Sequence, residues 1–180
     1  GELGWELYIP YERATQVWDA IMAAGKPFGI EPCGYKTADC LRLEKGYRYF
    51  TGDVTPRETP YEAGLGFCVD LEKSDFIGKE ALVKAKAEGL RHKLCTLTLE
   101  GNEWLPVYGG EAVYLDGKVV SRVRSGGYGF TLKKNIIYIY LPIELAKVGN
   151  RFQVELFDQR VTAEVTPTVL LDPKGEKLRC

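Results

Sequence analysis

Glu6 stands in the run Trp5-Glu6-Leu7-Tyr8-Ile9, an acid set among large apolar residues. If the run is a strand, residues 5, 7 and 9 face one way and residues 6 and 8 the other. Two readings of that second face are open. It is the wet face of a half-buried strand, or it lines a cleft. In the cleft, the Glu6 carboxylate accepts two hydrogen bonds from a ring-type ligand and Tyr8 forms the wall. A second set is Tyr47-Arg48-Tyr49-Phe50, whose three rings and guanidinium could sandwich a flat ring or cap a core. Asp39, Arg42 and Glu44 lie close along one predicted helix and read as a structural ion-pair group. Glu62, between Tyr61 and Ala63, reads as an acid that accepts backbone N–H bonds in a tight loop. Lys133-Lys134 is solvated surface or a partner for a ligand carboxylate, and Trp104 and Tyr128 are candidate contacts in loops.

Other chemistries lack material. One histidine, His92, cannot build a histidine metal site or conventional Ser-His or Cys-His catalysis. The five cysteines, Cys33, Cys40, Cys68, Cys95 and Cys180, fit no zinc or CxxC spacing and read as buried free thiols in a reducing compartment. Gly64, Gly66, Gly126, Gly127 and Gly129 match neither a dinucleotide fingerprint nor a P-loop, because Gly64-Leu65-Gly66 precedes a predicted strand instead of following one. Lys and Arg number 24 against 25 Asp and Glu, a formal net charge of -1, which gives no electrostatic grip on nucleic acid. The longest apolar runs, such as residues 136–142, are far too short to span a membrane, and no basic-then-apolar signal segment is visible.

The elements that must position these residues change character along the chain. Residues 5–9 predict a strand closed by Pro10. Apolar spacing at Ala14, Val17, Trp18, Ile21 and Met22 predicts a helix over 11–24, ended by Gly25. A second helix is predicted over 35–45, with Ala38, Leu41 and Cys40 inward and Gly46 as its stop. A long loop over 51–60 follows, then a strand over 65–71 and a helix from Phe76 to about Glu88. From Lys93 onward only short strands are predicted, at 93–99, 111–115, 118–124, 136–141, 151–157 and 161–166. Turns at Asp116-Gly117, Gly126-Gly127, Val148-Gly149 and Asp158-Gln159 separate them. Six such strands predict a small antiparallel barrel or sandwich behind an α+β piece, with the boundary near 89–93.

Several stretches occur together and in order: Glu2-Leu3-Gly4-Trp5-Glu6, Asp39 to Gly46, Gly52-Asp53, Pro60 to Gly66, Phe76 to Leu82, and Ser125-Gly126. The set resembles the folate-binding aminomethyltransferase family, the T-protein of the glycine cleavage system. Within it, the chain resembles the branch that forms the C-terminal region of dimethylglycine and sarcosine dehydrogenases or oxidases, down to the ending Leu171-Asp172-Pro173-Lys174-Gly175. The resemblance covers nearly the whole chain. It implies an α+β fold in two domains. Residues 1–90 are the C-terminal part of the folate-binding domain, with ferredoxin-like elements, and residues 91–180 are the small antiparallel β-barrel. It also implies tetrahydrofolate as cofactor, with FAD in an upstream domain as a further expectation. The partners it implies are folate and a small methylated-amine-derived substrate, without nucleic acid or membrane. The expected location is cytoplasmic, or the mitochondrial matrix in a eukaryote.

On this resemblance Glu6 matches the glutamate that binds the pterin amino and ring N–H groups. Tyr8, Tyr47 and Tyr49 are the other folate contacts expected; no catalytic or metal-binding residue is expected in this stretch. Tetrahydrofolate would attack a methylene presented as an iminium or aminomethyl adduct, giving 5,10-methylenetetrahydrofolate and an amine, with the protein positioning the partners. The chain opens on Gly1 and enters a predicted strand at once, which reads as a cut through a larger domain. The T-like part would be about twice this length; the other half would carry an aspartate beside the folate amine, and a tyrosine would stand two residues before Gly1. The 180 residues alone are therefore expected to be inactive. One departure from the family pattern is Ala38, where glycine-cleavage T-proteins commonly have an arginine that reaches the folate. It argues against the glycine-cleavage step and for the demethylating branch. The alternatives are a non-catalytic folate-binding or regulatory module and a freestanding T-protein-like aminomethyltransferase.

Overall fold

The structure is a computed structural model and describes residues 4–177; Glu2 and Leu3 of the opening motif, and Cys180, lie outside the described residues. Six strands form its centre: β1 (His92–Leu99), β2 (Ala112–Leu115), β3 (Lys118–Gly129), β4 (Lys134–Pro142), β5 (Arg151–Leu156) and β6 (Gln159–Thr166). All pairs are antiparallel and the sheet closes in the order β1-β4-β3-β2-β5-β6. Closure pairs the strands on both sides and leaves no open sheet edge. Leu97, Val113, Val123, Ile137, Ile139, Phe152 and Val154 fill the inside.

β4 shows why its sequence, Asn135-Ile136-Ile137-Tyr138-Ile139, is apolar without alternation. Ile137 and Ile139 point into the barrel, while Ile136 and Tyr138 point outward and are buried by Leu43 and Leu94 in a second cluster. A strand covered on both faces needs no polar side. Gly126 and Gly127, predicted as a turn, instead lie inside β3, which runs on to Gly129. A Cβ at Gly127 would meet Leu43 Cδ1 at 3.0 Å, and one at Gly129 would meet Glu44 Cγ at 2.8 Å. These glycines let a helix approach the barrel wall.

That helix is α2 (Tyr35–Lys45), closed by Gly46 in the left-handed conformation at φ 73°. Its bounds match the sequence expectation, but its inward face does not. Leu43 and Glu44 are buried, Cys40 is half-buried, and Ala38 and Leu41 are exposed. A buried acid disguises the face that docks. Helix α1 (Ala14–Gly25) forms as its apolar spacing predicts, yet none of its residues is buried, and its packing partners are the 3₁₀ turns that flank it. Helix α3 (Lys79–Glu88) begins three residues later than predicted, behind Gly78 at φ 92°.

Among the described residues, two predicted strands are absent. Residues 5–9 pair with no described strand, and an unpaired strand has nowhere to send its backbone hydrogen bonds but water. Residues 65–71 instead hold a 3₁₀ turn at Gly66–Cys68. There Leu65 N–H donates to Pro60 O at 2.7 Å and Cys68 N–H to Leu65 O at 2.9 Å, so local turns take the bonds a ladder would need. The thiols also depart from expectation: Cys95 is buried, but Cys33 and Cys68 are exposed.

Candidate functional site

The expected site residues fall into two pairs. At the first, the Tyr8 hydroxyl donates to Glu6 Oε2 at 2.8 Å, and both side chains are exposed, Tyr8 at 91%. Trp5 beside them is 86% exposed. Among the described residues, the hydrogen-bond partner of this carboxylate is a neighbour two residues away and not a distant element of the fold. At the second pair, Tyr47 and Tyr49 follow α2 and are each about half-exposed. Arg48 between them turns inward, donating to Ala63 O at 3.1 Å and Gly46 O at 2.5 Å, so its guanidinium is engaged by backbone carbonyls of the fold. No hydrogen bond or ring contact joins Glu6 and Tyr8 to Tyr47 and Tyr49 among the described residues.

Tyr49 has company that sequence reasoning missed. Tyr35, at the start of α2, interacts with the Tyr49 phenol, and this above all raises the Tyr35 pKa above its ordinary value, with a smaller contribution from the Asp39 charge. Tyr35 and Arg42 stand seven residues apart on α2, two turns along one face, which is the signal that could have grouped them. The Arg42 guanidinium lies 5.7 Å from the Tyr49 ring centroid and 5.9 Å from that of Tyr138.

Beneath Tyr49 sits Asp53, fully buried. Its carboxylate accepts from Arg42 Nη1 at 2.6 Å, from the Tyr49 backbone N–H at 2.7 Å and from the Ser125 hydroxyl on β3. Arg42 also donates from Nε to Asp39 at 3.1 Å. The expected Asp39–Arg42 pair is therefore present, but Glu44 is not part of it. Glu44 Oε1 accepts the backbone N–H groups of Thr131 and Leu132, at 2.8 and 2.9 Å, in the turn between β3 and β4. Burial removes Glu44 from the solvent-facing side where the ion pair lies. Glu62 accepts the Thr59 N–H at 2.9 Å, as its tight loop suggested.

A second polar group ties the same loop to the barrel. Glu58 accepts the Thr55 N–H at 2.8 Å and its hydroxyl at 2.6 Å, and pairs with Arg124, which lies over the Tyr140 ring at 5.2 Å. Burial works against ionisation of Glu58, but Thr55 and Arg124 outweigh it and hold the carboxyl below its ordinary value. Burial pushes the phenols of Tyr138 and Tyr140 far above theirs. The Tyr138 hydroxyl donates to Leu43 O at 3.3 Å, whereas those of Tyr61 and Tyr140 are buried with no partner among the described residues. Trp104 is exposed, Tyr128 lies within β3 with its hydroxyl donating to Asn102 O at 2.6 Å, and Lys134 opens β4 behind Lys133. Among the described residues, no three His, Cys, Asp or Glu side chains gather as a metal site would require, and no helix is long and apolar enough to cross a membrane.

A closed antiparallel barrel with a helix-and-loop unit docked on its outer β1–β4–β3 face defines an aminomethyltransferase-like architecture. The solved aminomethyltransferase T of the glycine cleavage system from Bartonella henselae shares it, with a TM-score of 0.77 at 24% identity over 90% of this chain and 45% of that one. The family model of the GCVT N-terminal domain matches residues 1–73, and that of the glycine cleavage T-protein C-terminal barrel domain matches residues 92–172. The chain belongs to the glycine cleavage T-protein family. Among curated relatives, it is 40% identical to the mitochondrial sarcosine dehydrogenase of Mus musculus, over 99% of this chain and 20% of that protein. It is equally 40% identical to the mitochondrial dimethylglycine dehydrogenase of Homo sapiens, over 99% of this chain and 21% of that protein. The chain thus spans about a fifth of the length of these relatives.

Proposed function

We propose that this chain is the folate-binding part of a protein that transfers a one-carbon unit to tetrahydrofolate, of the dimethylglycine or sarcosine dehydrogenase kind. Residues 1–90 belong on this reading to the folate-binding domain and residues 91–180 to the barrel domain. The observation that carries it is the Glu6–Tyr8 pair, a solvent-facing carboxylate and phenol that bond to each other and, among the described residues, hold no other part of the fold. The donor set fits the ligand. A carboxylate accepts the paired N–H groups on a pterin edge, and the tyrosines offer flat apolar faces to the ring.

Bound tetrahydrofolate would supply the amine nitrogens that accept the carbon. The chain's own share is positional. Glu6 fixes the ring edge, Tyr8 holds the Glu6 carboxylate in one rotamer, and Tyr47 and Tyr49 restrict the ring's tilt, which is how orientation lowers a barrier. Ala38, exposed on α2, presents no cation to an anionic ligand tail, which supports the demethylating branch over the glycine-cleavage step. The reading includes a flavin domain upstream in the whole protein, a methylated amine as substrate and, in a eukaryote, the mitochondrial matrix as location. The 180 residues alone are inactive on this reading, because α1 and residues 4–9 leave their apolar side chains uncovered.

The test is calorimetry of tetrahydrofolate against the whole protein that carries this chain, together with turnover of dimethylglycine or sarcosine by the whole protein and by residues 1–180. Binding and turnover by the whole protein, with neither turnover nor methylene transfer by the 180 residues, is the expected result. A whole protein that binds no folate overturns the reading.

A further inference from the structure

We infer that Arg42 and Asp53 are positioning residues for the ligand-facing tyrosine Tyr49, so that the barrel sets the geometry of the aromatic wall. The inference rests on the folate reading above. Three observations carry it.

Asp53 fixes Tyr49 by its backbone. The carboxylate takes the Tyr49 N–H at 2.7 Å, and the Asp53 N–H returns a bond to the Tyr49 carbonyl at 2.8 Å. The residue is wholly buried, so its charge is neutralised by Arg42 and its remaining lone pairs by Tyr49 and Ser125. A buried carboxylate with three donors has little freedom, and what it holds shares that rigidity.

Arg42 fixes Tyr49 by its ring. With Nε on Asp39 and Nη1 on Asp53, the guanidinium plane is set at two points, and it stands 5.7 Å from the ring centroid. A lysine in its place would neutralise Asp53 but could not hold both acids in a fixed fork while facing the ring.

The turn between Tyr49 and Asp53 is strained. Thr51 adopts φ 77°, a left-handed conformation that a β-branched residue rarely enters, and its N–H donates to Val54 O at 2.8 Å. Such a conformation persists where the surroundings over-determine it. Here the surroundings are the Asp53 hub, anchored through Ser125 to a strand 72 residues away. Tyr49 therefore keeps its place because the barrel wall holds Asp53.

The experiment measures tetrahydrofolate affinity of the whole protein by calorimetry for Arg42→Lys, Ser125→Ala, Tyr49→Ala and the doubles with Tyr49→Ala. Thermal midpoints are recorded for each to separate folding from binding. Arg42→Lys is expected to weaken binding about tenfold alone and less than about twofold on top of Tyr49→Ala, the signature of coupled residues. Ser125→Ala, the milder change, is expected to follow the same pattern with a loss of about threefold. A purely structural role would instead multiply the losses in the double variants, and that result overturns the inference. So does full affinity in both Arg42→Lys and Ser125→Ala while Tyr49→Ala binds weakly, an outcome that leaves the folate reading standing. If Tyr49→Ala and Glu6→Gln both bind as tightly as the parent, the folate reading itself falls and takes the inference with it.

Discussion

The barrel and the segment before it solve opposite problems with similar composition. Between residues 92 and 166 most large aliphatic side chains have a covered position, inside the barrel or between β4 and α2, with Val119, Ile143 and Val148 exposed. Between residues 4 and 50, Trp5, Leu7, Tyr8, Tyr11, Trp18, Phe28 and Tyr35 all stand more than half out of the packed interior. α1 has the apolar stripe of a packed helix, yet none of its residues is buried, and its main contacts are with the turns that flank it. A helix of that length gains its stability from tertiary contacts and not from propensity alone. The barrel is a closed packing unit, whereas residues 4–35 carry large apolar side chains that the described residues leave exposed. The polar hubs at Asp53 and Glu58 sit where the two meet.

The largest expected effect separates the two regions by core truncation. Phe152→Ala, inside the barrel, is expected to cost about 3–5 kcal/mol in denaturant unfolding, against less than about 0.5 kcal/mol for Trp18→Ala on α1 in the same 180 residues. Equal costs would break the comparison by showing α1 to be packed. Next comes the junction. Asp53→Ala leaves the Arg42 guanidinium without its buried partner, and a loss of about 3 kcal/mol is expected, read by thermal unfolding. A loss below about 1 kcal/mol would show that the hub is not what fastens the loop to the barrel.

The pH dependence sharpens the same junction. Glu58 has its folded pKa held below the unfolded value, so its contribution is present above about pH 4.3 and is lost as pH falls through the folded value. Glu58→Gln is expected to flatten the acid limb of the stability profile without moving the neutral plateau's shape. Tyr138 and Tyr140 have theirs raised, so their contribution is whole below about pH 10 and fades above it. The smallest effect is at Tyr140, whose buried hydroxyl has no partner among the described residues. Tyr140→Phe is expected to be neutral or to stabilise by up to about 1 kcal/mol, and a clear destabilisation in chemical unfolding would reveal a partner for that hydroxyl.

How much of this was legible in the sequence follows from how local each signal is. The six barrel strands could be read because short apolar or alternating runs between turn residues act over a few positions, although the Gly126-Gly127 turn signal cut β3 short of its end at Gly129. α1 and α2 could be read for the same reason. The strand expected at 5–9 could not be settled locally, because a strand exists only beside another strand. The docking face of α2 was hidden by Glu44, a charged residue whose backbone N–H donors lie 87 and 88 residues further on. Asp53 was visible as part of a motif but not as a hub, since Arg42 and Ser125 meet it only once the barrel wall is built. At the site itself, the Glu6–Tyr8 contact follows from two-residue spacing, while Arg42 meets the Tyr49 ring only through the turn after α2.

The Glu6 assignment is tested most directly by tetrahydrofolate affinity of the whole protein and of its Glu6→Gln variant, compared by calorimetry at one pH and salt. Loss of a charged acceptor to two N–H donors predicts binding weakened by about ten- to a hundredfold, with the thermal midpoint unchanged because Glu6 is exposed. Unchanged affinity in Glu6→Gln would contradict it.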